Sequence, residues 1–265
     1  MKKKAKAIDI IKKEEKLTKF QALGVYIAFN KANPGVKVEL KKLKHDLLHG
    51  LSRHDRASGI WFLNVYKKVI EIRSKNISLE TLTEAYKTDD KNIIAKKLLA
   101  YYSNYGIATG VILGSSAGLL GFVSAAHSTF GEIVCLAYFQ LSLIHDLSIL
   151  FERPFINANN LEIYRVLKAS FDISEKDLIN GKIDELVDKG DKFIEEKLLK
   201  NDSQVIQSVL KNLGVAIYFK AEKNFIPKAV PIFAYISAPL ACITSDYESV
   251  KAFGKRTLKI YDNSI

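Results

Sequence analysis

The stretch YGIATGVILGSSAGLLGFVSAAH, residues 105–127, decides how this chain folds. It is apolar and rich in small residues. Within it, Ile107–Ala126 runs for twenty residues without a charged side chain, which is about the shortest helix that crosses a bilayer. A helix of this composition can also lie buried on all sides in a helical domain. The sequence therefore leaves three arrangements open: a membrane span, a shallow or conditional insertion, and a buried helix of a soluble core.

The glycines of this stretch recur at a spacing of four residues. Positions four apart lie on one face of a helix. A face without side chains lets another helix approach closely, as in the glycine zippers of membrane helices. Each glycine lowers the stability of an exposed helix by about 1 kcal/mol relative to alanine. We therefore predict that another helix covers this face, and Phe225–Thr244 is the best candidate. The predicted packing residues are Gly106, Gly110, Gly114, Gly118 and Gly121.

A second apolar stretch, GEIVCLAYFQLSLIHDLSILF, follows at residues 131–151. The two stretches together predict a helical hairpin that turns near Ser128. Only Glu132 and the pair His145–Asp146 interrupt the second helix, and such a pair is costly in an apolar helix unless it is partnered or faces water. We therefore predict a polar centre of His127, His145 and Asp146. These three are also the candidate catalytic residues of an alternative function, a membrane-proximal hydrolase, although no nucleophile-elbow pattern accompanies them.

Helical periodicity dominates the rest of the chain. The segment SGIWFLNVYKKVIEIR predicts an amphipathic helix with one apolar stripe, made of Trp61, Val65, Val69 and Ile72. SLETLTEAYK opens with a capping box that starts at Ser78, and NNLEIYRVLKASF follows an asparagine cap. The sequence thus predicts an all-α bundle of about twelve helices around a central glycine-rich apolar hairpin.

Charge divides the chain into two regions. Residues 1–100 contain 23 Lys and Arg and 11 Asp and Glu. Residues 101–150 contain no Lys or Arg and two acidic residues. Residues 151–265 contain 17 Lys and Arg and 16 Asp and Glu. We predict a basic amphipathic region over 1–100 and a helical domain over 101–265. A basic region that precedes an apolar one favours an anionic membrane over nucleic acid, with a merely solvated basic face as the alternative. The predicted lipid-docking residues are Lys2, Lys3, Lys4, Lys6, Lys12, Lys13, Lys16 and Lys19.

Cysteine usage and the first residues favour the cytoplasmic side of a membrane. Cys135 and Cys242 both lie in apolar runs, which indicates buried thiols in a reducing compartment. No apolar segment follows the first lysines, so we predict no secretory signal. His45 and His49 stand one helical turn apart and could ligate a metal, but a solvated polar stretch explains them as well. We expect no metal and no other cofactor.

Two groups of motifs lie between about residues 100 and 262. The first comprises ATG at 108–110, GLLGF at 118–122 and AAH at 125–127. The second comprises FIPKAVPIFAYISAPLA at 225–241 and VKAFGKRTLKIY at 250–261. Together they resemble the EcsC family, whose Pro-Lys-x-x-Pro segment is similar to Pro227, Lys228 and Pro231 here. The chain departs from the family pattern at His127, where an aspartate is usual, and at Ala234 and Ala238, where glycines are.

The resemblance implies an all-helical, membrane-associated bacterial protein and implies no reaction. The family takes its name from a partner of an ABC-type exporter, which implies a role in secretion, transport or envelope upkeep. Our first hypothesis is a non-enzymatic protein that binds anionic lipid and either an ABC-type exporter or another membrane protein. The alternatives are the hydrolase and a soluble helical adaptor. Pro227, Pro231 and Pro239 cannot share one straight helix, so we expect a kinked or re-entrant segment there.

Overall fold

The computed structural model describes residue 45 and residues 57–120, 122–180, 190–199, 203–225 and 234–262. For residues 106–120, 122–129, 132, 156, 179–180, 190–192, 222–225 and 234–247 this description covers the backbone alone. These residues form nine α-helices and one 3-10 helix, without a strand among them. In chain order the elements are α1 Ile60–Asn76, α2 Leu79–Tyr86, α3 Lys91–Leu120, α4 Phe122–Leu150, the 3-10 helix Phe155–Asn157, α5 Asn160–Ser170, α6 Glu175–Asn180, α7 Gly190–Leu198, α8 Ser203–Phe225 and α9 Ala234–Asp262.

The described residues confirm the all-α fold class but not the number of helices. Nine α-helices stand there instead of about twelve. The amphipathic helices predicted before residue 57 lie outside the described residues, apart from the single position His45. Helix α3 runs without interruption through residues 100 and 101, where charge divides the chain. One apolar core also includes residues from both sides of that point, among them Trp61 and Phe130.

Local signals in the sequence place several helices correctly. Helix α1 buries Trp61, Val65 and Val69, as its apolar stripe predicts. The capping box before α2 is present, because the Thr81 amide donates to the Ser78 hydroxyl at 3.2 Å and the Ser78 amide donates to Thr81 Oγ1 at 2.8 Å. The asparagine cap of α5 is Asn159, whose side chain accepts from the Glu162 amide at 2.9 Å. Each cap satisfies a backbone donor that the helix itself leaves without a partner.

Helices α3 and α4 pack against each other in opposite directions. Near the start of α3, Lys91 Nζ lies 2.9 Å from the Glu152 carboxylate, just beyond the end of α4. Further along α3, the Tyr105 ring lies 4.9 Å from the Phe139 ring, measured between centroids. Advancing along α3 therefore means going back along α4, and the two helices form an antiparallel pair.

The predicted boundaries of the apolar helices are wrong. Residues 105–127 are not one helix, because α3 begins at Lys91 and ends at Leu120, and α4 begins at Phe122. The chain reverses direction between Leu120 and Phe122 rather than near Ser128, so the central hairpin does not have the form that the sequence predicts. The physical reason is that apolar residues continue on both sides of Gly121. Without a polar loop, hydrophobic periodicity carries no signal of the turn.

Helix α9 lies along α3, as a third long helix beside the antiparallel pair. A Cβ atom on Gly254 of α9 would lie 2.0 Å from Leu99 Cδ1 of α3 and 2.9 Å from Leu143 Cδ2 of α4. Farther along α9, Tyr261 stacks on Phe151 beyond the end of α4 with centroids 6.4 Å apart. Helix α9 thus runs antiparallel to α3, and Gly254 is where it touches both partners closely.

A second close approach joins α1 to α8. Gly59, immediately before α1, has a φ of 68°, in the left-handed region that favours glycine. A Cβ atom there would lie 1.9 Å from the backbone oxygen of Lys211. On the other side of the contact, a Cβ atom on Gly214 would lie 2.6 Å from Phe62 Cβ. The two glycines bring the helix backbones together at a distance that no side chain permits.

One stretch among the described residues is long and apolar enough to cross a membrane, Ile133–Leu150 of α4. This criterion uses length and composition only, and buried core helices of soluble proteins also meet it. Of this stretch, 89% is buried inside the protein. Residues Ile133–Leu150 of α4 therefore lie in the core of the described part of the fold.

Candidate functional site

Asp146 of α4 is the centre of a buried polar cluster that joins three helices. Its side chain is 1% exposed. Arg73 of α1 donates from Nε to Asp146 Oδ1 at 3.1 Å and from Nη2 to Oδ2, which makes a two-point ion pair. Tyr102 of α3 donates its hydroxyl to Oδ2 at 2.6 Å. The carboxylate thus accepts hydrogen bonds from helices α1 and α3, and we call Arg73, Tyr102, His145 and Asp146 the polar centre.

The electrostatics of the polar centre keep Arg73 charged and Tyr102 neutral. Burial lowers the pKa of Arg73, but Tyr102 and the charge and hydrogen bond of Asp146 outweigh it, and the net pKa lies above its usual range. Burial, and then the negative charge of Asp146, raise the pKa of Tyr102 well above its usual value. The guanidinium and the protonated phenol are the two forms that can donate to Asp146.

His145 contributes little to this network. Its Nδ1 lies 3.3 Å from Asp146 Oδ1, and the side chain is 1% exposed. Its Nε2 is buried and has no hydrogen-bond partner among the described residues. No described serine is therefore hydrogen-bonded to Nε2, as a nucleophile activated by this histidine would be. Asp146 is already paired with Arg73 and Tyr102, so the geometry is that of a connection between helices rather than of a general base.

The structure brings together two of the three residues predicted for the polar centre. His145 and Asp146 belong to it, whereas the side chain of His127 lies outside the described residues. Arg73 and Tyr102 are the members that the sequence analysis missed. The signal for Arg73 was present, because it follows Trp61, Val65 and Val69 at a spacing of four on the same stripe of α1. An arginine in line with a buried stripe needs a carboxylate partner where its guanidinium is buried.

Tyrosines surround the polar centre where α3 and α4 reach the protein surface. Tyr101 is 45% exposed, its ring lies 4.8 Å from that of Tyr105, and the two hydroxyls are 3.1 Å apart. Tyr138 of α4 is half-buried and touches Phe139, which in turn touches Tyr105. We call Tyr101, Tyr105 and Tyr138 the tyrosine collar. Its rings are amphipathic and stand at the border between protein and solvent.

Several predicted site residues fall partly or wholly outside the described residues. His45 is described and exposed, whereas His49 is not described, and the described residues hold no cluster of three or more potential metal ligands. Cys135 is buried, as predicted, and the Cys242 side chain is not described. The docking lysines Lys2, Lys3, Lys4, Lys6, Lys12, Lys13, Lys16 and Lys19, and the motif residues Pro227, Lys228 and Pro231, lie outside the described residues.

The cover over the glycine face stays a prediction. Gly106, Gly110, Gly114 and Gly118 lie within α3, and Gly121 lies outside the described residues. Helix α9, which begins at Ala234 and includes Pro239, runs antiparallel to α3. The side chains at the contact itself are not among those described. Gly59, Gly214 and Gly254 mediate the close contacts that are described, and the sequence analysis did not single them out.

Comparisons of the chain with protein-family models, with curated proteins and with solved structures found no match in any of the three. The resemblance to the EcsC family therefore rests on the quoted motifs alone. It stays a prediction.

Alkaline pH is expected to destabilise the fold through its buried tyrosines. Burial raises the pKa of Tyr66 to about 12 and is the largest cause of the raised pKa values of Tyr86, Tyr102 and Tyr261. Their contribution is fully present below the unfolded-state pKa near 10 and is lost as pH rises above it. For Tyr66 the loss is about 1.4 kcal/mol per pH unit between about pH 10 and 12.

Urea unfolding at increasing pH, followed by circular dichroism, measures this effect. The free energy of unfolding should be level below about pH 9 and fall above about pH 10. Tyr66→Phe should have a shallower decline, because phenylalanine has no proton to lose. A parent protein whose unfolding free energy stays constant to pH 11 would contradict the prediction.

Proposed function

We propose that this chain is a non-enzymatic helical protein of EcsC type that associates with the cytoplasmic face of a bacterial membrane. Its role would be to support secretion, transport or envelope upkeep through contacts with lipid and protein. The observation that carries the proposal is the one-sided charge. Residues 1–97 hold all 23 Lys and Arg of the first half of the chain, and no further Lys or Arg follows until Arg153. In such a pattern the basic segment can bind anionic lipid while the apolar helix that follows it enters the membrane.

The polar centre favours the non-enzymatic form of the proposal over the hydrolase. Asp146 accepts hydrogen bonds from Arg73 and Tyr102 in the interior, and His145 Nε2 has no described hydroxyl partner. This arrangement holds α1, α3 and α4 together. It gives no support to a paired nucleophile and base.

Binding to lipid vesicles tests the proposal. The chain should bind vesicles that contain anionic lipid and bind less as salt rises, because charge attraction fades beyond a screening length of about 8 Å at physiological ionic strength. Each Lys near the surface contributes about 1 kcal/mol. The triple variant Lys2→Gln, Lys3→Gln, Lys4→Gln should therefore bind at least about tenfold more weakly. Co-sedimentation over a series of salt concentrations measures both effects.

A matched control removes the same charge elsewhere. Lys176, Lys255 and Lys259 are exposed on α6 and α9, and their replacement by Gln should leave binding nearly unchanged. Equal binding to neutral and anionic vesicles at every salt concentration would reject the docking role of the basic region. Genes for an ABC exporter's ATPase and membrane subunit beside the gene for this chain would support the exporter as partner.

A further inference from the structure

The first half of helix α3 has one face in the core and the opposite face in solvent. On the inner face, Ile94, Leu98 and Tyr102 are buried, and Tyr102 also donates to Asp146. Six residues on the other side are exposed and form what we call the outer face of α3: Ile93, Lys96, Lys97, Ala100, Tyr101 and Asn104.

The outer face carries two large hydrophobic side chains. Four such side chains are exposed among the described residues, and two of these belong to this face, Ile93 at 43% and Tyr101 at 45%. They stand eight residues apart with Lys97 halfway between them, so the three side chains follow one line along the helix. Exposed apolar groups that are aligned in this way indicate a contact surface.

The charge of α3 is entirely positive. The helix contains three lysines and no Asp or Glu. Lys91 is paired with Glu152 at 2.9 Å. Lys97 instead donates to a neutral acceptor, the Tyr86 backbone oxygen at 3.2 Å, and its Nζ lies 5.8 Å from the centre of the Tyr86 ring. This contact holds the ammonium group beside the outer face without neutralising it, and Lys96 adds a second positive charge there.

An anionic bilayer matches the chemistry of this face better than other partners do. A second copy of the chain in a two-fold contact would bring the same lysines against each other. Nucleic acid would offer phosphates to the lysines but no apolar layer to Ile93. A bilayer offers both, because lysines extend to the headgroup phosphates while apolar groups and tyrosine rings lie at the boundary with the acyl chains.

We infer that the outer face of α3 is the surface by which the described part of the fold lies on an anionic bilayer, with the axis of α3 parallel to the membrane plane. The orientation follows from the positions of the two hydrophobic groups. From Ile93 to Tyr101 the helix advances about 12 Å, so both side chains reach the same depth only if the axis is parallel to the plane. The inference rests on the proposed membrane association and adds the face that makes the contact.

Removing the two charges of the outer face tests the contact. The full chain with Lys96→Gln and Lys97→Gln should bind vesicles of mixed phosphatidylglycerol and phosphatidylcholine at least about tenfold more weakly at low salt. The difference should shrink as salt rises, because the lost attraction is one that salt screens. The matched control is Lys176→Gln with Lys259→Gln, which removes the same charge from exposed positions on α6 and α9 and should bind like the parent.

Removing the apolar group of the outer face should have a different signature. Ile93→Ser should weaken vesicle binding by about fivefold at every salt concentration, because apolar contact is lost rather than charge. Ile93 is a cleaner choice than Tyr101, whose ring packs 5.2 Å from the Tyr102 ring of the polar centre. Phe219→Ser is the control, since Phe219 is 39% exposed but lies on α8. Circular dichroism verifies that each variant is folded.

Lysine acetylation of the parent protein locates the contact without any substitution. An amine-reactive acetylating reagent is added to the full chain with and without the same vesicles, and mass spectrometry follows the reaction at each lysine. Lys96 should react several-fold more slowly when the vesicles are present. Lys176, on α6, should react at the same rate in both samples.

Three results would contradict the inference, and only one of them also contradicts the proposed function. Lys96 reacting as fast on vesicles as in solution, or outer-face variants that bind like the parent, would overturn the docking face while membrane association stands. Protection of Lys96 that grows with protein concentration in the absence of vesicles would assign the face to a second copy of the chain. A parent protein that does not bind anionic vesicles at low salt would overturn both.

Discussion

Asp146→Ala is expected to destabilise the protein by about 3–5 kcal/mol, the usual result of breaking a buried ion pair from one side. The substitution removes the acceptor for Arg73 and for the Tyr102 hydroxyl, and it leaves a guanidinium that is 22% exposed without its carboxylate. Urea unfolding, followed by the fluorescence of the single tryptophan, Trp61, measures the loss. Trp61 is fully buried in the same core and reports its opening.

The chain offers a control with the same chemistry at the surface. Arg165 and Glu195 also form a two-point pair, with distances of 3.1 and 2.7 Å, but their side chains are 60% and 32% exposed. Glu195→Ala should cost no more than about 1 kcal/mol, as exposed ion pairs do. The double variant Arg73→Met, Asp146→Leu should recover much of the loss, because it leaves no buried charge. A loss for Asp146→Ala as small as that for Glu195→Ala would show that the polar centre does not hold the fold together.

Gly59→Ala is expected to cost about 3 kcal/mol or more. Two effects add at this position. The left-handed φ of 68° costs a residue with a side chain about 1–2 kcal/mol. The new Cβ atom would also lie 1.9 Å from the Lys211 backbone oxygen, so α1 and α8 must move apart. Chemical denaturation gives the loss, and the exposure of Trp61 two residues later gives its location.

Gly254→Ala is the control for crowding without backbone strain. Its Cβ atom would meet the ends of the Leu99 and Leu143 side chains, which can rotate away, and its φ is not in the left-handed region. We expect a loss of about 1–2 kcal/mol. If Gly59→Ala were no more destabilising than Gly254→Ala, the close crossing of α1 and α8 would not be needed for stability.

The sequence predicts those parts of the fold that short-range signals determine. The stripe of α1 and the caps at Ser78 and Asn159 depend on residues within one or two turns, and the structure confirms them. The reversal near Gly121 carries no such signal, since apolar residues continue through it. The start of this helix lacks such a signal too, because α3 begins at Lys91 and continues into the apolar stretch as far as Leu120.

The same limit applies to the side-chain contacts of the polar centre. A charged residue in an apolar helix is visible in a sequence, so His145 and Asp146 were identified. Their partners depend on which helices meet, and that is a tertiary property. Arg73 is 73 residues from Asp146 along the chain and Tyr102 is 44. Spacing within one helix predicts neither contact.

The crossing of Gly59 and Gly214 has a consequence for synthesis on the ribosome. The two positions are about 150 residues apart in sequence, yet their backbones touch. At about 5–20 residues per second, the ribosome needs on the order of 10–30 s to make Gly214 after Gly59. During that interval α1 has no α8 to cover Phe62, whereas α3 and α4 are neighbours in sequence and can pair as they emerge. During synthesis the chain therefore passes through a period in which the aromatic side chains of α1 are not yet covered by α8. This is the stage at which a chaperone would act.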